Sequence, residues 1–289
     1  MSTSASSSAV RLETAGLSDI GKRRERNEDQ FLIATMKRSM LVEQTTLPLQ
    51  SQQWLIGGSE GTILVVADGM GGHRGGAIAS SMAVNTIADY MCNVMPWVAR
   101  HGQSEEGRAH ESLHGVRSVL ASALVEGQSQ IYRAEDQAGR KHNMGTTLSM
   151  AYVLWPTLYV AHAGDSRCYL FRGGQLEQVT KDHTIAQQLV DQGLASVTDA
   201  SRWRHVLWNA LGGSDAELKP EVDRRPLANG DAILLCSDGL NNHVTDEQIR
   251  EALQTGEPAA SVCKRLVDAA NAAGGLDNIT VVCARFTVE

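Results

Sequence analysis

Four short runs rich in β-branched residues each abut an aspartate. Thr62–Ala67 is followed by Asp68-Gly69, Leu158–Ala163 by Gly164-Asp165, and Ala232–Cys236 by Ser237-Asp238-Gly239. In the fourth, Asp277-Asn278 stands directly before Ile279–Phe286. Val, Ile, Thr and Tyr punctuated by Gly and Asp read as buried strands. Cys168–Arg172 continues the second run and reads as its hairpin partner. Strand ends within one sheet system bring residues distant in sequence to a common edge, so these aspartates are expected to meet.

Two helical stripes lie between the strands. Ala79, Met82, Ala83, Ile87, Tyr90 and Met91 share one helical face. Leu113, Val116, Leu120, Leu124, Gly127 and Ile131 recur at spacings of three and four. A later helix starts near Pro258, which a first turn accepts, and carries Val262, Leu266 and Ala270. Strands and helix pairs without regular βαβ alternation argue for an α+β fold. The chain shows neither an internal repeat nor a Pro-rich linker, which favours one domain over residues 11–289. The Ser/Thr/Ala-rich residues 1–10 read as a flexible tail and not a signal peptide. The polar segment 36–61, with Pro48 and Gly57-Gly58, reads as a surface insertion.

Composition narrows the function. With 26 basic and 33 acidic residues the net charge is −7, which disfavours nucleic-acid binding through phosphate neutralisation. No apolar run approaches the roughly 20 residues of a membrane helix. Aromatic residues make up only 4%, so stacking platforms for bases or sugars are not expected. The five cysteines are scattered singly and odd in number, so they read as small buried hydrophobes in a reducing compartment, the cytoplasm.

Glu28 and Asp29, just before Phe31-Leu32-Ile33, add two carboxylates to Asp68, Asp165, Asp238 and Asp277. Clustered carboxylates repel, and are tolerated only if some are protonated or cations sit between them. Hard oxygen donors select Mg²⁺ or Mn²⁺. The glycine after Asp68 lets the backbone approach closely, so the Gly69 carbonyl is a further candidate ligand. Any single Asp-Gly reads best as a turn; their joint occurrence after buried runs does not.

Six motifs stand in order: Arg24-x-x-Asn27-Glu28-Asp29, Asp68-Gly-Met-Gly-Gly72, Met144-Gly-Thr-Thr147, Gly164-Asp-Ser-Arg167, Ser237-Asp-Gly-Leu240 and Asp277-Asn-Ile-Thr280. In these the chain resembles the metal-dependent protein phosphatase 2C family, and its bacterial members in particular, from about Leu12 to Val288. The resemblance implies a four-layer α-β-β-α sandwich, two antiparallel sheets flanked by helix pairs. It implies hydrolysis of phosphoserine and phosphothreonine in proteins phosphorylated by a Ser/Thr kinase. Two Mn²⁺ or Mg²⁺ ions would activate a bridging water. Asp68 would bridge the ions, the Gly69 carbonyl and Glu28 would complete one, and Asp238 and Asp277 would hold the other. Asp29 would orient the attacking water, and Arg24 would clamp the substrate phosphate, a task suited to its bidentate fork. Asp165 and Asp238 would hold a weaker third ion, and residues 182–213 resemble the flap beside it.

Two positions depart from the family. Met70 stands where some members carry a histidine that protonates the leaving group, which leaves His73, three residues on, as a candidate. Asn242 stands where many members place another aspartate at the third ion.

His110-Glu-Ser-Leu-His114 is a literal His-Glu-x-x-His, the pattern of zinc proteases, with Glu135 downstream as a conceivable third ligand. It falls on the amphipathic stripe above and reads better as a surface helix. A catalytically silent module on the same fold would need lost ligands, and none of Glu28, Asp68, Asp238 and Asp277 is missing.

Overall fold

The computed structural model describes residues 10–44, 46, 48, 53–71, 75–99, 109–139, 143–214 and 216–288. All strand pairs are antiparallel and fall into two sheets. One sheet contains β1 (Val10–Asp19), β12 (Ile279–Val288), β11 (Ala232–Cys236), β7 (Arg167–Arg172) and β8 (Gln175–Gln178), in that order. The other runs β10 (Glu221–Pro226), β6 (Thr157–Ala163), β5 (Leu148–Leu154), β3 (Gln53–Met70), β4 (Gly145–Thr146) and β9 (Leu211–Gly212), with β2 (Asp29–Val42) paired to β3.

The apolar runs are continuous because the central strands are buried on both faces, and the period of two divides their side chains between layers. From β3, Leu64 and Val66 point between the sheets, where they meet Leu170, Ile233, Leu235 and Val282. Ile63 and Val65 point outward against helices α1 (Gly75–Ala99) and α2 (Ala109–Gln137), onto Ala83, Ile87, Leu120 and Leu124. On β11, Leu234 and Cys236 face α6 (Asp246–Gln254) and α7 (Ala259–Ala272), onto Ile249, Val262 and Leu266. The result is the expected four-layer α-β-β-α sandwich with its helix pairs outside. Pro258 caps α7 at its N-terminus.

Several expectations change. β6 and β7 are not a hairpin: β6 pairs with β5 and β10, and β7 pairs with β11 and β8. The left-handed Gly164 (φ +117°) instead turns the chain from one sheet to the other, which sets Asp165 at the mouth between them. Strand β1 begins already at Val10, and residues 1–9 of the expected tail lie outside the described residues. Over 36–61 the far ends of β2 and β3 remain paired, with register shifts near Lys37, so much of that segment is a hairpin extension. Four cysteines are buried as expected, but Cys92 is exposed on α1.

The His110–His114 segment lies on α2, and its side chains lie outside the described residues. Glu135 is buried and accepts from the backbone N–H groups of Asn143 (2.9 Å) and Met144 (2.8 Å), which ties α2 to the start of β4. Among the described residues no helix is long and apolar enough to cross a membrane.

Candidate metal centre

Pairing of β2 with β3 sets Asp29 directly opposite Asp68. The backbone around Asp68 is held on its other side by the Met144–Thr147 motif. Thr146 Oγ1 donates to the Asp68 carbonyl at 2.8 Å, and the Asp68 N–H donates to Thr147 Oγ1 at 3.1 Å. Thr147 Oγ1 in turn lies 2.6 Å from Ser166 Oγ, beside Asp165. The cross-sheet turn is thereby tied to the end of β3.

Glu28 is fixed by its backbone. Its N–H donates to Asn278 Oδ1 at 2.8 Å, and its carbonyl accepts from Ser80 Oγ of α1 at 2.6 Å. Asn278 Nδ2 also donates to the carbonyls of Ile20 (3.0 Å) and Arg26 (2.9 Å), so one amide side chain clasps the whole 20–28 loop. The glycines here are close-approach residues: a Cβ on Gly69 would come 2.7 Å from the Glu28 carbonyl oxygen, and one on Gly76 2.8 Å from Glu28 Oε2. Asp238 opens the short helix α5 (Asp238–Asn241) and accepts from Asn242 Nδ2 at 3.0 Å.

These elements surround one cavity of about 280 Å³. Glu28, Asp68, Gly69, Asp165, Asp238 and Asp277 line it, with Arg24 on its wall. Arg24 Nη2 donates to Asp277 Oδ2 at 2.7 Å. Asp29 lies behind this ring, 3% exposed, and its Oδ2 accepts from Ser237 Oγ and Thr280 Oγ1, both at 2.7 Å. Its Oδ1 is buried with no hydrogen-bond partner among the described residues. Met70 forms part of the cavity wall, and His73 lies outside the described residues.

The electrostatics are those of a donor set short of positive charge. Burial, and then the charge of Asp238, pushes Asp165 up to about 8. Burial also pushes Asp29 up to about 7, against the two hydroxyl donors that favour its charged form. Burial and neighbouring carboxylates hold Asp68 well above the ordinary range and raise Asp238. Among the described residues no three such side chains are drawn together at ligand distance from a single point; they stand around the cavity. An open ring of hard oxygens, in which Asp68, Asp165 and Asp238 have raised proton affinity, backed by the buried Asp29 Oδ1 without a partner among the described residues, fits divalent cations of the Mg²⁺ and Mn²⁺ type.

Sequence reasoning identified the lining carboxylates. It assigned no role to Thr146, Thr147, Ser237, Asn278 and Thr280, which hold them in place. All five lie inside the six motifs read as fingerprints; Ser237 shares its motif with Asp238, and Asn278 and Thr280 share theirs with Asp277.

Fold and site together define a class: an α+β sandwich enzyme whose cleft is built of hard oxygen donors. The chain belongs to the protein phosphatase 2C family, whose model matches residues 43–279. It is 34% identical over 238 residues to the protein phosphatase PhpP of Streptococcus pneumoniae, covering 79% of this chain and 87% of that one. It is 38% identical over 224 residues to the serine/threonine protein phosphatase PstP of Mycobacterium tuberculosis, covering 77% of this chain and 40% of PstP. The structure of the PstP catalytic domain in complex with two manganese ions superposes with a TM-score of 0.71 at 31% identity, over 96% of this chain and all of that one.

Proposed function

We propose that residues 11–289 form one catalytic domain that hydrolyses phosphoserine and phosphothreonine in proteins, acting in the cytoplasm on targets of a Ser/Thr kinase. The observation that carries this reading is the convergence of Glu28, Asp68, Asp165, Asp238 and Asp277 with Arg24 on one cavity. The relatives named as Ser/Thr phosphatases, and the two manganese ions of the PstP complex, support it.

Asp68, Glu28 and the Gly69 carbonyl would hold one Mn²⁺ or Mg²⁺, and Asp68, Asp238 and Asp277 would hold the other. Two such ions lower the pKa of a water between them and neutralise charge on the phosphoryl oxygens. Asp29, locked by Ser237 and Thr280, turns its free Oδ1 to orient the attacking water. Arg24 Nη2 is tied to Asp277 Oδ2 at 2.7 Å. With Asp277 engaged by a cation, the guanidinium would be free to fork two phosphate oxygens. Asp165 and Asp238 would hold a third ion, and more weakly, because Asn242, which donates to Asp238, offers an amide where a carboxylate would add charge.

Activity on an aryl phosphate and on a phosphothreonine peptide should vanish in EDTA. Mn²⁺ should restore it better than Zn²⁺, whose preferred N/S donors this site lacks. Full turnover after exhaustive chelation would refute the proposal.

A further inference from the structure

The catalytic cavity does not end at Met70. A second cavity of about 260 Å³ adjoins it, and Met70, His205 and Leu207 belong to the walls of both. The partition is fixed. Met70 Cε packs where Gly145 and Gly213 have no side chain; a Cβ there would stand 2.7 Å and 3.2 Å from it. Beyond the partition Trp208, Ala210 and Ala216 form an apolar side, Asn209 and Ser214 add polar groups, and Glu217 stands exposed at the rim. Trp208 is held by the His183 ring, with centroids 4.8 Å apart, and by its backbone N–H, which donates to the His183 carbonyl at 3.0 Å.

We propose that this second cavity is a substrate subsite. It receives an apolar side chain one or two residues from the phosphorylated residue of a protein substrate. The inference rests on the phosphatase reading above. An extended chain advances about 3.3–3.6 Å per residue. With the phosphate among the carboxylates, a neighbouring side chain therefore reaches a cavity that only one side chain's thickness separates from it. At about 260 Å³ the volume lies below the roughly 300–1,000 Å³ of small-molecule sites. It suits one side chain better than a cofactor. Thioether, indole and methyl walls favour an aliphatic group, and the Glu217 carboxylate disfavours an acidic one.

The test is a panel of phosphothreonine peptides in which each position within two residues of the phosphothreonine is Leu, Ala or Asp. At one position Leu should exceed Ala by about tenfold in kcat/KM, as expected for a few methylenes in an apolar pocket, and Asp should be poorest. Ala216→Trp, which fills the cavity, should bring the Leu/Ala ratio close to one and leave turnover of 4-nitrophenyl phosphate unchanged. Glu217→Lys should raise turnover of the Asp peptide, and it decides the matter alone if Ala216→Trp fails to fold. Three results would each overturn the subsite: no Leu preference at any position, a preference that survives in a folded Ala216→Trp, or unchanged Asp discrimination in Glu217→Lys. A wild-type enzyme that turns over neither peptide nor aryl phosphate would overturn the phosphatase reading instead.

Discussion

Arg23, Arg24 and Arg26 carry the same charge within four residues, yet only Arg24 reaches the cavity. Its Nη2 lies 2.7 Å from Asp277, and that contact puts the guanidinium at the mouth of the carboxylate ring. Arg24→Ala should raise KM for an aryl phosphate by the loss of a charge-assisted contact, about 1.5–3 kcal/mol, or roughly ten- to a hundredfold. Arg23→Ala should leave it unchanged, and steady-state kinetics on the two variants checks this. The melting temperature should barely move, because exposed ion pairs contribute little to stability. Equal KM effects from both substitutions would mean a diffuse basic patch and would remove Arg24 from its role.

At the scale of elements, the 182–213 segment is held at its base and free at its tip. Helices α3 (Ile185–Asp191) and α4 (Val197–Ala200) carry Leu194 and Val197 nearby at 70% and 74% exposure. At the base, buried Asn209 donates to the Lys219 carbonyl at 2.8 Å, accepts from the Lys219 N–H at 3.0 Å, and meets His183 Nδ1 at 2.8 Å. The His183 N–H donates to the Gly164 carbonyl at 2.7 Å, next to Asp165. Asn209→Ala leaves several of these buried groups without partners, a cost of roughly 1–3 kcal/mol. Amide exchange should therefore accelerate across 184–208 and not in β11, and KM for phosphopeptides should rise more than KM for an aryl phosphate. Exchange that accelerates equally in β11 would show that the segment is not a separate opening unit. Asp68, Asp165, Asp238 and Asp277 were legible because each adjoins a run buried on both faces, where apolar character is continuous. It hid the strand partners: after Ala163 a local turn reads as a hairpin, and only nonlocal packing sends Arg167–Arg172 to the other sheet. The clasp formed by Asn278 was equally hidden, because a side-chain bond to a backbone some 250 residues away leaves no periodic trace.

The whole molecule has a pH dependence that a single buried ring should expose. His162 on β6 is 2% exposed, with Nδ1 2.9 Å from Ser149 Oγ and Nε2 3.1 Å from the Lys181 carbonyl. Its ring lies 4.7 Å from that of His183. Burial first, and then His183, pushes His162 down to about 3. Its unfolded value is about 6.5, so between those two pH values the unfolded chain binds a proton that the native state refuses. The contribution is fully present above pH 6.5 and is lost as pH falls through the window, at up to about 1.4 kcal/mol per pH unit. The carboxylates Asp29 and Asp165 run the other way in the metal-free protein, since their raised values cost stability as pH rises. Comparing wild type with His162→Gln cancels every slope the two proteins share. Glutamine keeps hydrogen-bonding capacity toward Ser149 and Lys181 but does not titrate. In urea unfolding of the metal-free proteins, wild type should be the more stable at pH 7.5. By pH 5 it should have lost about 2 kcal/mol relative to the variant. A stability gap that stays constant between the two pH values would show that His162 binds its proton equally well folded and unfolded, contrary to its burial between the sheet and the base of the 182–213 segment.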